Sequence, residues 1–282
     1  MANPLKKTYG LIGYPVKHSL SPLMHNAAFA SLKINAEYKL FPLASDELGA
    51  FLKNLAKNNI SGLNVTVPYK EKVIPFLDKL SKEAGLIGAV NTIKASRGRL
   101  YGFNTDGEGF IKHLKRDLKF NPKDKFIAII GAGGAAKAIS VFLSKEKPKK
   151  ISIYDIDQPR AAALTGHLKK NFKNTVFEPV SSVSCLGIPE SQLLVNASAV
   201  GMQDSDPCLV EDRFIHEDLL VYDLIYNPAQ TKLLKIAQAK GAGFSNGLGM
   251  LLYQGAAAFE LWTGRPAPVE VMRKVLEEAL SR

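Results

Sequence analysis

Cysteine, long apolar runs and metal-ligand spacings are scarce or missing in this 282-residue sequence. Only Cys185 and Cys208 occur, and they form no redox or zinc-binding spacing. Scarce cysteine favours a reducing, cytoplasmic setting. No apolar run reaches the ~18–20 residues that a membrane-spanning helix needs, so we expect no membrane partner. The five histidines show no metal-ligand spacing, so we expect no metal site.

Acidic residues are outnumbered, because 37 Lys and Arg face 26 Asp and Glu and the net charge is +11. Such an excess can attract nucleic acid or small anionic substrates. The basic residues are spread along the chain, and the densest group, Lys145 to Lys150, has no interleaved aromatic side chains. We therefore expect no nucleic-acid partner, and a solvated surface that mildly attracts anions.

Short apolar runs that are typical of strands alternate with helical stretches along the chain. Tyr9 to Gly13 and Leu63 to Val67 belong to a first series, and Phe126 to Ile130 starts a second. This alternation predicts an α/β fold with mainly parallel sheets. The length suggests two domains. We predict an α/β domain over residues 1–106, a Rossmann-type, doubly wound NAD(P)-binding domain over 107–246 and C-terminal helices over 247–282.

The second series opens with a glycine-rich turn between a predicted strand and a predicted helix. Its residues match Gly-x-Gly-x-x-Gly/Ala and are Gly131, Ala132, Gly133, Gly134, Ala135 and Ala136. In such a turn the second glycine lets the main chain approach a pyrophosphate, and the helix N-terminus supplies amide donors. Asp155 ends the next predicted strand, as expected of a dinucleotide-binding unit.

Two polar residues each close an unusual string ahead of this turn. Lys70 ends Gly62-Leu-Asn-Val-Thr-Val-Pro-Tyr-Lys70, and Asp106 ends Gly102-Phe-Asn-Thr-Asp106. A proline suits the first turn of a helix, so we expect Lys70 near a helix N-terminus, where a lysine exchanges protons more readily. The alternatives are a solvated lysine and a helix N-cap at Asp106. Beside a nucleotide fold, the two residues suggest proton transfer coupled to hydride transfer.

Several long strings, in one order, resemble the shikimate dehydrogenase family over nearly the whole chain. They are Gly13-Tyr-Pro-Val-Lys-His-Ser19-Leu-Ser21-Pro-Leu-Met-His-Asn26, Asn64-Val-Thr66-Val-Pro-Tyr-Lys70, Gly88-Ala-Val-Asn91-Thr, Asn104-Thr-Asp106, Asn196-Ala-Ser-Ala-Val-Gly-Met202, Asp223-Leu-Ile-Tyr226-Asn-Pro, Asn246-Gly247-Leu-Gly-Met250 and Gln254-Gly-Ala-Ala-Ala-Phe. The resemblance implies reversible oxidation of shikimate to 3-dehydroshikimate with NAD(P), in aromatic amino-acid (chorismate) biosynthesis. It also assigns the first domain and the C-terminal helices to substrate binding.

The same resemblance implies roles for individual residues. Lys70 and Asp106 correspond to the catalytic pair, and Ser19 and Ser21 to the hydroxyls that meet the substrate carboxylate. The substrate ring would be held by Asn64, Thr66, Asn91, Tyr226 and Gln254. The cofactor would be held by the glycine-rich turn together with Asp155, Ile156, Arg160, Ser198, Leu224, Gly247 and Met250.

One string departs from the family pattern and bears on the choice of cofactor. Members that prefer NADP usually carry Asn-Arg-Thr where this chain has Asp155, Ile156 and Asp157. A carboxylate at Asp155 would accept hydrogen bonds from the ribose hydroxyls of NAD and would repel the 2′-phosphate of NADP. The sequence therefore predicts that NAD is favoured. Arg160 is the counter-argument, because one turn into the helix it could reach back to a phosphate.

Two other functions stay open. The string at Asp155 resembles the NAD-dependent quinate/shikimate dehydrogenase branch, although Ser21 matches the shikimate-type serine pair. A non-catalytic regulatory protein of the same fold is less favoured, because it needs no proton donor and this chain has both Lys70 and Asp106. A monomer and a homodimer both stay open.

Overall fold

The computed structural model describes residues 6–55 and 57–280, and the chain divides into two compact units. Unit 1 comprises residues 1–109 and 251–282, and unit 2 comprises residues 110–250. The sequence-based boundaries at 106/107 and 246/247 lie three or four residues earlier than these divisions. The C-terminal helices belong with the N-terminal segment in unit 1.

Unit 1 is built on a six-stranded sheet with helices. Its elements are β1 (Lys7–Gly13), α1 (Ser21–Ser31), β2 (Ala36–Pro42), α2 (Leu48–Lys53), β3 (Ile60–Val65), β4 (Lys79–Leu80), α3 (Lys82–Ile87), β5 (Thr92–Ser96) and β6 (Arg99–Phe103). The strand order is β2-β1-β3-β5-β6-β4. β3 pairs antiparallel with β5, and β5 with β6, whereas the other pairs are parallel. The sheet is therefore mixed, and the turn at Arg97 and Gly98 joins β5 and β6 as a hairpin.

Unit 2 is built on a six-stranded sheet in which every pair is parallel. The helix α4 (Asp106–Arg116) leads into β7 (Phe126–Ile130), α5 (Gly134–Lys145), β8 (Lys150–Tyr154), α6 (Gln158–Asn171), β9 (Val176–Pro179), β10 (Leu193–Asn196), β11 (Leu220–Asp223), α7 (Lys232–Ala239) and β12 (Gly243–Ser245). The strand order is β12-β11-β10-β7-β8-β9. Strands β8 and β9 are added on one side of β7, and β10 to β12 on the other, as in a doubly wound sheet. A crevice is therefore expected outside the carboxyl ends of β7 and β10.

The chain ends in two helices, α8 (Leu248–Thr263) and α9 (Val269–Leu280). The indole N–H of Trp262 on α8 donates to the main-chain oxygen of Ile93 at 3.0 Å, which ties the helix to β5. The ammonium of Lys94 donates to the carbonyl of Leu261 at 2.6 Å, near the C-terminus of the same helix. In the described residues, no helix combines the length and apolar character needed to cross a bilayer.

Candidate active site

Lys70 and Asp106 form an ion pair inside unit 1. The ammonium nitrogen lies 2.6 Å from Oδ2 of Asp106, and the two side chains are 16% and 7% exposed. Lys70 follows strand β3, and Asp106 is the first residue of α4. The Asp106 carboxylate accepts from two side chains, Lys70 and Asn91. The pair is therefore a shielded acid–base couple, which is what positioned proton transfer requires.

The prediction that Lys70 lies near the start of a helix is wrong. Residues 67–73 form turns, and the first regular element after β3 is a short 3₁₀ turn at Ile74–Phe76. The carbonyl of Lys70 accepts from the main-chain N–H of Val90 at 2.7 Å, instead of continuing a helical ladder. The buried Tyr69 donates its hydroxyl to the carbonyl of Leu43. Hydrogen bonds between distant segments of the chain thus place Lys70. Its electrostatic partner is Asp106 rather than a helix end.

Asn91 organises the pair from the adjacent main-chain turn before β5. Its Nδ2 donates to Oδ1 of Asp106 at 2.7 Å and to the hydroxyl of Thr105 at 3.0 Å. Its Oδ1 accepts from the main-chain N–H of Thr105 at 2.8 Å and from the hydroxyl of Thr92 at 2.9 Å. Asn91 therefore orients Asp106 so that the other carboxylate oxygen faces Lys70. Sequence reasoning missed Thr92 and Thr105, although each is next to a predicted site residue.

Gln254 and Asn64 complete this hydrogen-bonded network. Oε1 of Gln254, on α8, accepts from Nδ2 of Asn91 at 3.3 Å. Gly109 makes this approach possible, because a Cβ there would lie 2.5 Å from the main-chain nitrogen of Gln254. Asn64, at the end of β3, donates to the main-chain oxygen of Asn91 at 3.3 Å and to the hydroxyl of Thr92 at 3.1 Å. Lys70, Asp106, Asn91, Gln254 and Asn64 thus lie in one network.

Of the remaining predicted substrate residues, three lie on loops and Ser21 begins α1. Thr66 follows β3 and donates its main-chain N–H to the carbonyl of Ile12 at 2.9 Å. Ser19 accepts from the main-chain N–H of Ser21 at 3.2 Å, just before α1. Ser21 is the first residue of α1 rather than its N-cap, and Leu20 occupies the cap position. A capping role therefore does not account for the Ser21 hydroxyl. Tyr226 lies in unit 2, on the loop after β11.

The glycine-rich turn of unit 2 lies between β7 and α5. Gly131 has φ +107°, and a Cβ there would lie 2.9 Å from the carbonyl of Ala197, so this position requires glycine. Gly133 is the N-cap of α5, where no side chain caps the free amides. Open main chain and unpaired helix amides are what a pyrophosphate needs, so the turn fits the diphosphate of a dinucleotide.

The acidic residue after β8 faces this turn. Oδ2 of Asp155 accepts from the main-chain N–H of Ala132 at 2.6 Å, and Oδ1 accepts from that of Asp157 at 2.9 Å. Ile156 is 91% exposed. The side chain of Arg160 extends from α6 toward Gly133. Its Nη2 lies 4.0 Å from the position that a Cβ on Gly133 would take. Negative and positive charge therefore both lie beside the turn.

Further predicted cofactor residues follow the carboxyl ends of the neighbouring strands. Ser198 follows β10, Leu224 follows β11, and Gly247 and Met250 follow β12. The hydroxyl of Ser198 donates to Oδ1 of Asn196 at 2.7 Å. Residues Ala135 and Gly134 open helix α5. Unit 2 thus gathers these positions at one edge of its sheet, where parallel strands place ligand-binding loops.

A buried carboxylate that sequence reasoning missed braces the same edge. Asp223 ends β11 and accepts from Nδ2 of Asn196 at 3.0 Å, the hydroxyl of Thr231 at 2.8 Å and the main-chain N–H of Ile225 at 3.1 Å. Burial raises its pKa, and these hydrogen bonds oppose the rise. Asp223 therefore fixes the loops that carry Ser198 and Leu224. The sequence signal for Asp223 is an acidic residue at the end of an apolar strand.

A parallel sheet with a glycine-rich turn in one unit, and a shielded lysine–carboxylate couple amid amides and hydroxyls in the other, define a dinucleotide-dependent oxidoreductase. The family model described as "Shikimate dehydrogenase substrate binding domain" matches residues 11–93, and that described as "Shikimate 5'-dehydrogenase C-terminal domain" matches residues 247–277. The chain belongs to the shikimate dehydrogenase family.

Individual relatives can be aligned with nearly the full length of this chain. "Shikimate dehydrogenase (NADP(+))" of Methanopyrus kandleri is 46% identical, with 96% of this chain and 95% of that protein covered. A crystal structure of a shikimate dehydrogenase in complex with NADP+ is 38% identical, with a TM-score of 0.92 and coverage of 100% and 98%. The Listeria monocytogenes shikimate 5-dehydrogenase, in complex with shikimate and NAD, is 35% identical, with a TM-score of 0.88 and coverage of 97% of both chains.

Proposed function

We propose that this protein is a shikimate dehydrogenase that interconverts shikimate and 3-dehydroshikimate with a nicotinamide dinucleotide. The observation that carries the proposal is the shielded Lys70–Asp106 couple, 2.6 Å apart. When bound, the dinucleotide supplies the hydride acceptor or donor. A place in aromatic amino-acid biosynthesis and in the cytoplasm goes with this proposal.

Lys70 handles the proton at the reacting oxygen of the substrate. In oxidation its neutral amine takes the hydroxyl proton and becomes the ammonium, and in reduction the ammonium gives a proton to the carbonyl oxygen. Asp106 keeps the ammonium in place and presents its carboxylate to a substrate hydroxyl. Because Asn91 fixes the other oxygen of Asp106, neither group must reorganise during the reaction.

The neutral groups around the couple suit a polyhydroxylated acid. Asn64, Thr66 and Gln254 offer amide and hydroxyl groups to the ring, and Ser19 and Ser21 offer hydroxyls to the carboxylate. An analogue without the ring hydroxyls would leave buried polar groups unpaired, which a site of this kind rejects strongly. Tyr226 is the further ring contact in this proposal.

A steady-state assay that crosses shikimate and quinate with NAD and NADP tests the function. We expect turnover of shikimate, with a higher kcat/KM than for quinate, because Ser19 and Ser21 form the shikimate-type pair. The string at Asp155 favours the alternative of an NAD-dependent quinate/shikimate dehydrogenase. A higher kcat/KM for quinate would establish that alternative, and no turnover with any of the four combinations would contradict both.

The choice of cofactor is a separate prediction, and we expect a higher kcat/KM with NAD than with NADP. Asp155 holds negative charge beside the glycine-rich turn and would repel a 2′-phosphate, and Ile156 offers no compensating charge. Unit charges ~4 Å apart interact by roughly 1–4 kcal/mol at effective dielectric constants of 80 to 20. The double variant Asp155→Asn/Ile156→Arg should narrow or reverse the ratio.

Arg160 provides the opposing test of the same prediction. Its guanidinium already lies beside the glycine-rich turn, and relatives named for NADP(+) favour its use as a phosphate ligand. Arg160→Gln should lower kcat/KM with NADP more than with NAD. The exposed Arg213, which pairs with Glu211, gives a matched control variant, Arg213→Gln. A wild-type enzyme that clearly favours NADP refutes the preference and leaves the shikimate assignment intact.

A further inference from the structure

Tyr38, a buried residue of β2, reaches a proposed substrate residue two strands away. Its hydroxyl donates to Oδ1 of Asn64 at 2.8 Å, and only 3% of the tyrosine is exposed. Strand β1 lies between β2 and β3, so the ring spans a whole strand to make this contact. A buried hydroxyl that bonds the side-chain amide of Asn64 restricts the orientation of that amide.

Chemistry alone fixes the orientation of the Asn64 side chain. The main-chain oxygen of Asn91 can only accept, so the group that faces it at 3.3 Å must be Nδ2 of Asn64. Oδ1 therefore faces Tyr38, and the tyrosine hydroxyl must be the donor. The reverse orientation would set two carbonyl oxygens against each other.

The hydrogen bonds that Asn64 already makes determine what it can offer a substrate. The two hydrogens on Nδ2 are directed to Asn91 and to the hydroxyl of Thr92. Oδ1 uses one lone pair for Tyr38 and keeps the second, because an amide oxygen accepts two hydrogen bonds. Asn64 thus meets a ligand as an acceptor and selects a group that donates, such as a hydroxyl.

We propose that Tyr38 is a positioning residue, which holds Asn64 as the hydrogen-bond acceptor for one ring hydroxyl of the substrate. The proposal rests on the proposed function, since it takes Asn64 to be a substrate contact. It adds the direction of the hydrogen bond, from substrate to protein. It also adds a residue that makes no contact with the substrate in this scheme and acts through Asn64.

Two consecutive residues of α1 hold Tyr38 in turn. Oδ1 of Asn26 accepts from the main-chain N–H of Tyr38 at 2.8 Å, and Nδ2 of Asn26 donates to its carbonyl at 3.1 Å. The ring of His25 stacks on the tyrosine ring, with centroids 4.5 Å apart and planes 11° apart. His25 therefore packs on the ring of Tyr38, and Asn26 holds its main chain. Both residues end the motif that runs from Gly13 to Asn26.

His25 acts in this arrangement as a flat, uncharged surface. Its side chain is fully buried, and burial lowers its pKa to about 3. Within the described part of the chain, neither ring nitrogen has a hydrogen-bond partner. A neutral ring without polar contacts serves packing rather than proton transfer, which agrees with a role in fixing Tyr38.

The test compares Tyr38→Phe with Tyr9→Phe, on shikimate and on analogues in which one non-reacting hydroxyl at a time is replaced by fluorine. Tyr9 is the matched control, because it is buried, pairs with Tyr38 in the β1–β2 register and stacks on Trp262. Loss of one hydrogen bond should raise the KM for shikimate roughly 2–10-fold in Tyr38→Phe. The discrimination against one of the fluoro analogues should fall by a similar factor, with kcat changed by less than about twofold.

Several outcomes would overturn the inference. These are an unchanged KM and unchanged discrimination in Tyr38→Phe, an equal loss on every analogue, or the same loss in Tyr9→Phe. If Tyr38→Phe does not fold, Asn26→Ala replaces it, because Asn26 is exposed. The same selective loss of discrimination against one fluoro analogue is expected. Wild-type protein without shikimate turnover would refute the proposed function as well, whereas an active wild type with a neutral Tyr38→Phe refutes the inference alone.

Discussion

Lys70→Ala is expected to lower kcat by roughly 10²–10⁴-fold, because a positioned acid–base group contributes a factor of that size. The ammonium is held 2.6 Å from Asp106 in a shielded position, so solvent water is a poor replacement. The KM for shikimate should change much less, since Asn64, Asn91 and Gln254 stay in place. Steady-state kinetics in both directions measure the effect.

The controls for Lys70 separate chemistry from folding. Lys72→Ala removes an exposed lysine from the same turn and should leave kcat near the wild-type value. Lys70→Met keeps most of the buried stem and should lose as much turnover as Lys70→Ala. If Asp106→Asn also loses kcat, the double variant should cost less than the product of the two single losses, as expected of groups that act as a unit. Near-wild-type kcat in Lys70→Ala contradicts the assignment.

Gly247→Ala is expected to destabilise unit 2. A Cβ on Gly247 would overlap the carbonyl oxygen of Leu224 and lie 2.6 Å from its carbonyl carbon. The main chain must move to accommodate it, and overpacking of this kind typically costs about 1–3 kcal/mol. For a unit of this size the melting temperature should fall by roughly 2–12 °C. Because the displaced segment carries Leu224, the KM for the dinucleotide should rise as well.

Gly166→Ala is the matched control for this steric argument. Gly166 lies inside α6, and a Cβ there would meet no atom within 4 Å. Alanine is favoured over glycine in a helix by roughly 0.5–1 kcal/mol, so this variant should melt at the same or a higher temperature. Differential scanning calorimetry of both variants measures the contrast. Equal melting temperatures for Gly247→Ala and wild type would refute the close approach.

Local sequence strings predicted the nucleotide unit well, because its elements follow one another along the chain. The strand–turn–helix at Gly131 and the acidic residue after β8 need only neighbouring residues for their recognition. The surroundings of Lys70 could not be predicted in this way. The carbonyl of Lys70 bonds the main chain of Val90, a contact between distant segments, and that contact replaces the helix which Pro68 favours.

Tyr38 shows the same limit for side chains. A tyrosine in a strand is ordinarily interpreted as a core residue, because the sequence does not show which group its hydroxyl contacts. Its contact with Asn64 depends on the strand order, which places β1 between β2 and β3. Asn26 and His25 stood in a recognised string, yet their roles depend on the same strand order. The sequence therefore names candidate residues, whereas the hydrogen bonds among them depend on the fold.

The discontinuity of unit 1 sets an order for folding during synthesis. Unit 2 is one continuous stretch, residues 110–250, and can form as soon as the ribosome has released it. Unit 1 must wait for α8, because Gln254 bonds Asn91 and Trp262 bonds Ile93 across 163 and 169 residues. Contacts of such long range form late, since a long loop must first close. All six strands of the N-terminal sheet precede unit 2 in the chain, so the newly made sheet lacks the packing of α8 and α9 until those helices have been synthesised.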